Sequence, residues 1–255
     1  MTSLFPYLSP DQLAFAFSIA VIAGLVKGIV GFAMPMILVS GLGTFLPPEL
    51  ALVGLILPTV VTNGLQALRN GGRAALASIY RFRWFMGIGG LFLIASAQLF
   101  RLLSGPSLYL LIGIPVTVFA VLQLRGWQLR LRGQSRRADI SIGTIAGAIG
   151  GVSGVWGPPT VAYLTALNTP KAEQMRVQGV IYGLGAVALL FSHIGSGVMT
   201  AEVAPFSLVL VVPAVVGMWL GRMVQDRIDQ AAFRRATLMV LLIAGLNLVR
   251  RGLGF

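Results

Sequence analysis

Lys27 is one of two lysines in a chain of 255 residues, and it lies inside an apolar run. It sits about 14 residues beyond the start of that run, roughly 21 Å deep at helical rise. A cation at that depth is costly unless it has work to do. Arg176 lies about one turn into a later run. Around these cations stand two glycine-rich stretches, AGLVKGIVGFAMP at 23–35 and AGAIGGVSGVWGP at 146–158. Glycine and proline weaken or remove helical hydrogen bonds. Hydrocarbon penalises the backbone groups so freed, which places such breaks inside protein or beside a cavity. Helices restarting after the breaks, near Phe32 and Gly157, would present N–H groups and a positive dipole end. Pro35, Pro158 and Pro159 suit the first turn of such helices. Two helix N-termini and a buried cation describe a site for an anion.

Polar neutral groups could complete that site. Thr59, Asn63 and Gln66 share one helical face after the first break, Asn63 and Gln66 at i, i+3 spacing. Ser153, Trp156, Thr160 and Tyr163 follow the second break, and Gln178 and Tyr182 come later. The candidate anion-binding set is Lys27, Gly28, Gly31, Phe32, Pro35, Asn63, Gln66, Gly151, Ser153, Gly154, Trp156, Gly157, Pro158, Thr160, Tyr163, Arg176, Gln178 and Tyr182. For the glycines the competing reading is close helix packing through small-xxx-small contacts. His193, the only histidine, is the candidate for proton coupling, with an interfacial position as its alternative. The seven acidic residues, Asp11, Glu49, Asp139, Glu173, Glu202, Asp226 and Asp229, all fall near run ends or between runs. A cation pathway would need carboxylates within the membrane.

The elements that position these groups are membrane spans. Apolar types make up 56% of the chain and charged types 10%, and the mean hydropathy is +0.88. A soluble domain carries roughly 25% charge. Apolar runs lie near 11–27, 32–46, 49–67, 84–100, 107–124, 141–168, 174–198, 204–221 and 236–249. The first is expected to be a retained span, since no basic region precedes it. The net charge of +12 comes from arginines clustered between the runs, the pattern that orients membrane proteins rather than one that binds nucleic acid. With no cysteine and one histidine, disulfides and imidazole or thiolate metal sites are not expected, nor is any cofactor. The absence of a G-x-x-x-x-G-K-[ST] loop argues against an ATP-driven pump.

The two glycine-rich stretches are copies. Ala23, Gly24, Gly28, Gly31 and Pro35 match Ala146, Gly147, Gly151, Gly154 and Pro158, and Pro47 matches Pro170. Arg101 to Gly126 likewise runs in step with Arg227 to Gly252. The expected fold is all-α and polytopic, with two inverted repeats, each a glycine-broken helical hairpin plus three transmembrane helices. The expected division is 1–126 for the first repeat, 127–139 for a basic cytoplasmic linker and 140–255 for the second repeat. If each broken segment (11–46 and 140–169) returns to its starting side, the basic loops 68–83, 125–139 and 221–235 share one face with Lys171. That face is expected to be cytoplasmic, with both termini outside. Segment 140–169 leaves about 20 Å per leg, which predicts a re-entrant turn.

These residues resemble the sulfite exporter TauE/SafE family, also called the four-toluene sulfonate uptake permease family. The resemblance rests on Gly24, Lys27, Gly28, Gly31 and Pro35, on Gly147, Gly150, Gly151, Gly154, Gly157 and Pro158, and on KAEQMRVQGVIYGLGAVALL with Arg176 and Tyr182. It spans essentially the whole chain. Phe32, Ala33 and Met34 stand where many members have a denser glycine cluster. The resemblance implies a transporter of sulfite, sulfonates, sulfoacetate or another small organic anion in the bacterial inner membrane, usually an exporter. The expected partners are the small anion and the lipid bilayer, with no nucleic acid, and a homo-oligomer is compatible with the sequence. A potential of 100 mV, negative inside, drives a monovalent anion outward by about 2.3 kcal/mol. Uptake of a related anion coupled to protons is the alternative. A further alternative is an intramembrane serine protease built on Gly151-Val152-Ser153-Gly154 and His193, although the first copy, Gly28-Ile29-Val30-Gly31, keeps the glycine spacing without a serine.

Overall fold

The computed structural model describes residues 8–97, 105–127, 131–153, 157–195 and 197–254. The described elements are all α-helical: α1 (Pro10–Val30), α2 (Met34–Leu42), α3 (Pro48–Ala67), α4 (Gly72–Arg81), α5 (Arg83–Ala97), α6 (Gly105–Leu124), α7 (Arg136–Ser153), α8 (Gly157–Ala166), α9 (Lys171–Gly195), α10 (Ala204–Arg227) and α11 (Gln230–Gly252). Each apolar run of the sequence falls on one of these helices, and the run 141–168 falls on α7 and α8. Among the described residues α1, α3, α9, α10 and α11 are long and apolar enough to cross a membrane. The protein is thus a polytopic membrane protein.

Local sequence sets the helix ends. Ser9 caps α1 through a capping box with Gln12, and Pro10 opens its first turn. At the other end Gly31 takes the left-handed conformation, φ 87°, and its N–H donates to the Lys27 carbonyl. Ala33 is also left-handed, φ 74°, which costs a residue with a Cβ about 1–2 kcal/mol. Two such residues separated by one turn the chain from α1 into α2. With 9 residues, α2 is about 14 Å long, too short to cross a hydrocarbon core of about 30 Å. In the second glycine-rich segment a longer helix is likewise followed by a short one, 18 residues in α7 and 10 in α8. It begins at Arg136, earlier than apolar patterning indicated, because the exposed Arg136 and Arg137 and the buried Asp139 occupy its first turn.

The chain divides into two compact units. Unit 1 holds residues 1–69 and 179–228, and unit 2 holds 70–178 and 229–255. Both units therefore take helices from the early and the late part of the chain. In unit 1, α1 packs along α10 through a glycine seam. A Cβ on Gly24 would lie 2.1 Å from the Ala214 carbonyl oxygen, and one on Gly217 would lie 2.0 Å from that of Val21. Gly28 and Gly221 continue the seam against Met218 and Leu25. The pairing of 21 with 217 and 25 with 221 makes the two helices parallel. Unit 2 contains the same motif: α5 and α7 run parallel, with Gly147 against Gly89 and Gly143 against Phe85. Also in unit 2, α6 and α11 pack antiparallel around Gly113 and Gly245.

The stretch 68–83, which reads in the sequence as a basic loop, contains α4. Its apolar side chains lie on both the buried and the exposed face and are flanked closely by arginines, so they form no long apolar run.

Candidate functional site

Unit 1 places the first break inside protein. Gly31, Phe32 and Ala33 are all buried. Irregular backbone at that depth needs partners, and α3 supplies one: Gln66 Nε2 donates to the Gly31 carbonyl at 3.1 Å. Lys27 sits in the last turn of α1 and is 1% exposed. Its ammonium donates to Asn63 Oδ1 on α3. An ammonium only donates, so the amide must present its oxygen, and Asn63 Nδ2 points elsewhere. That nitrogen has no partner, and neither has Thr59 Oγ1 one turn earlier on α3. Both residues are buried, Asn63 at 0% and Thr59 at 3%. This buried part of unit 1 thus holds a lysine ammonium, an amide N–H₂ and a hydroxyl with bonding capacity left over. Unpaired donors at this depth cost about 1–3 kcal/mol each, which an acceptor-rich ligand would recover.

The restart of the chain lies beside this cluster. No side chain caps the N-terminus of α2, and Pro35 occupies its first turn. The α1 C-terminus and the α2 N-terminus therefore meet at the break. The negative end of α1 favours Lys27, and the positive end of α2 favours an anion.

The eighteen residues grouped from the sequence are divided between the two units. Lys27, Gly31, Phe32, Pro35, Asn63 and Gln66 belong to unit 1 and gather at the first break. Gly28 is committed to the α10 seam, where a Cβ would lie 2.3 Å from the Met218 carbonyl oxygen. Tyr182 lies in the unit 1 part of α9 and is buried. That helix approaches α3 at Gly179, whose Cβ would lie 2.5 Å from the Ala67 nitrogen, and at Gly183 beside Asn63.

Thr160, Tyr163, Arg176 and Gln178 belong to unit 2. The Tyr163 hydroxyl is taken up by Asp139, donating to Oδ1 at 2.8 Å, while its ring stacks on Phe85. Arg176 donates through Nε to Ser78 Oγ at 2.8 Å. Thr160 and Gln178 are buried. Gly157 opens α8. Gly154 and Trp156 lie outside the described residues. Of Gly151, Ser153 and Pro158 only the helical backbone is described. His193 is half-buried in the last turn of α9, in unit 1.

Sequence reasoning passed over Asp139. It lies in the first turn of α7, where a carboxylate suits the helix dipole, and so reads as a surface residue. It is 3% exposed. Gln134 Nε2 donates to both its oxygens, at 3.2 and 2.9 Å, and Tyr163 supplies a third bond. Among the described residues Lys27 and Asp139 are the only buried members of the Lys, Arg, Asp and Glu types. Arg81 extends this network by bonding Gln134 and pairing with Glu173.

The comparisons with known proteins add one positive finding. The family model for the sulfite exporter TauE/SafE matches residues 16–248. Neither a curated protein nor a solved structure matches the chain. A match over nearly the full length, on a polytopic helical scaffold with a buried cation at a broken span, sets aside the serine protease alternative. The chain belongs to the sulfite exporter TauE/SafE family of membrane transporters.

Proposed function

We propose that this protein is a secondary transporter of a small sulfur-containing or organic anion, working as an exporter. The observation that carries this reading is Lys27: a cation 1% exposed at the broken end of α1, with unpartnered donors from Asn63 and Thr59 nearby. A sulfite or sulfonate head offers several acceptor oxygens and no cation, which matches that donor excess. The N-terminus of α2 would add its backbone N–H groups to that site.

An inverted two-fold plan underlies the proposal. Its support is the recurrence of helix, break, short helix in both parts of the chain. The glycine seams add to it: α1 pairs in parallel with α10, and α7 pairs in parallel with α5. Arg69 bonds Gln225 and pairs with Asp226, so the end of α3 meets the end of α10. A same-direction duplication with four crossings per half would separate those two loops across the membrane. In unit 2, the bonds of Arg81 to Gln134 and Glu173, of Gln230 to Lys171, and of Arg234 to Gln123 gather basic segments at one end. The proposed orientation puts the arginine-rich ends in the cytoplasm of a bacterial inner membrane.

Direction follows from charge. The membrane potential expels a monovalent anion without any coupled ion. Asp139, which the sequence pattern placed near a run end, is buried, and a buried carboxylate favours the second reading, proton-coupled uptake. Its three neutral hydrogen bonds to Gln134 and Tyr163 make the structural role the simpler account.

The test is thermal stabilisation of the detergent-purified protein by sulfite, sulfonates, sulfoacetate, short carboxylates and sulfate. A ligand at about 100 times its Kd adds roughly 2.7 kcal/mol. Stabilisation by a sulfur anion, lost in Lys27→Ala, supports the proposal. Stabilisation by a cation or neutral solute alone rejects it.

A further inference from the structure

We propose that α4, with the adjoining ends of α5 and α7, forms a binding site for the headgroup of an anionic phospholipid. The site goes beyond the transport reading and does not depend on which anion is carried.

The outward face of α4 is unlike that of a water-facing helix. Ala75 and Ser78, followed by Phe82, turn inward and are buried. Leu76 and Tyr80 turn outward, 65% and 70% exposed, beside the exposed Arg73. Apolar side chains set among arginines on one helix face mark a helix lying at a membrane interface.

The next helix fixes the level of α4. Only Phe82 separates α4 from α5, which is apolar from Trp84 onward. Arg83 and Trp84 thus stand where an apolar helix meets the interface. The parallel α5–α7 seam brings the first turn of α7 to the same level. There the Arg136 guanidinium lies 3.8 Å from the Trp84 ring centroid. Arg83 lies 4.2 Å from the Tyr80 ring centroid and 5.9 Å from that of Trp84, and donates through Nη1 to the Tyr80 carbonyl at 3.1 Å.

Both guanidiniums thus sit over aromatic rings, and among the described residues neither has an acidic partner. Such planar forks match phosphate oxygens in a bidentate fashion. The acids nearby are already engaged, Glu173 with Arg81 and Asp139 with Gln134 and Tyr163. Among the described residues, no ion pair involves Arg73, Arg83, Arg136 or Arg137. The patch is therefore basic, aromatic and apolar together. An anionic lipid complements all three properties, with its phosphate on Arg83 and Arg136 and its glycerol and upper acyl region on Leu76 and Tyr80. Free phosphate would use only the first.

The experiment uses the full chain in nanodiscs of phosphatidylcholine with or without phosphatidylglycerol. Retained lipid is read by native mass spectrometry, and the unfolding temperature by tryptophan fluorescence. Wild type should retain phosphatidylglycerol selectively and unfold at higher temperature in its presence. Arg83→Gln/Arg136→Gln should unfold as wild type does in pure phosphatidylcholine and lose the selectivity. The expected loss is about fivefold per arginine, roughly 25-fold for the pair. Leu76→Asp should also reduce retention with every arginine intact. Arg250→Gln, at an exposed position on α11, should change nothing. Undiminished selectivity in the double variant, or no selectivity in wild type, overturns the proposal. So does inorganic phosphate reproducing the thermal shift in pure phosphatidylcholine, because the site would then be one for a free anion. A soluble protein or nucleic acid that competes phosphatidylglycerol off wild type would also overturn it, by assigning the patch to that partner.

Discussion

Lys27 on α1 and Asn63 on α3 are joined across the break by a hydrogen bond that turns the Asn63 amide nitrogen away, without a partner. Lysine thereby fixes the orientation of a second donor. The pair should act as a unit on an anion.

Lys27→Met keeps most of the buried volume and removes the charge. Transport into or out of proteoliposomes should fall at least tenfold, with a modest change in unfolding temperature. Asn63→Asp should fall as far, since its carboxylate would pair with Lys27 and repel the substrate. The double change should cost little more than either alone, because the two residues act together. Additive losses would show that they act separately.

Thr59→Val tests the neighbouring hydroxyl. The swap removes an unpartnered polar atom at nearly constant volume. The unliganded protein should gain about 1 kcal/mol or more, read as a higher unfolding temperature. Anion affinity should drop over the same comparison. A destabilised unliganded protein would mean that the hydroxyl has a structural partner.

Ala33→Gly tests the turn itself. Ala33 is held at φ 74°, and glycine adopts that region without the Cβ clash. The change should relieve roughly 1 kcal/mol of strain, less the entropy that glycine adds to the unfolded chain. Thermal stability should hold or rise slightly, while the substrate Kd shifts if the turn presets the site.

Reporter fusions at Gly133 and Gly197 test the inverted plan. They should report opposite sides of the membrane, with Gly133 inside. Fusions reporting the same side would reject the arrangement.

Bulk in a glycine seam tests packing. Gly24→Val and Gly217→Val each put carbon where a facing carbonyl oxygen already lies, and the helices must separate. Each should cost about 1–3 kcal/mol or more and lower the yield of folded protein. Gly64→Ala, with nothing within 4 Å of its Cβ position, should be neutral or mildly stabilising.

Much of the first break was legible in the sequence, because each part of it is local. Glycine spacing locates the turn, proline marks the restart, and a lone lysine in an apolar run stands out. Asn63 and Gln66 were legible from i, i+3 spacing. The Tyr163–Asp139 bond was not, since it joins residues 24 apart through the fold. Helix α4 was missed because its outward face carries Leu76 and Tyr80 and its inward face small residues, the reverse of the soluble amphipathic pattern. The sequence could not say whether Gly28 serves substrate or packing, because the same glycine spacing serves both. The interleaving of the two units was equally hidden, since it depends on which helices pair and not on what each contains.

That interleaving bears on how such a chain could be cut or built. Severing it in the stretch 127–139 leaves α1 without α10 and α5 without α7, so neither fragment carries a finished seam. Two fragments made in the same cell would have to exchange helices to be stable, each completing what the other lacks. By the same logic, a gene encoding only one such half would make a chain whose seams could close only against helices from a second chain.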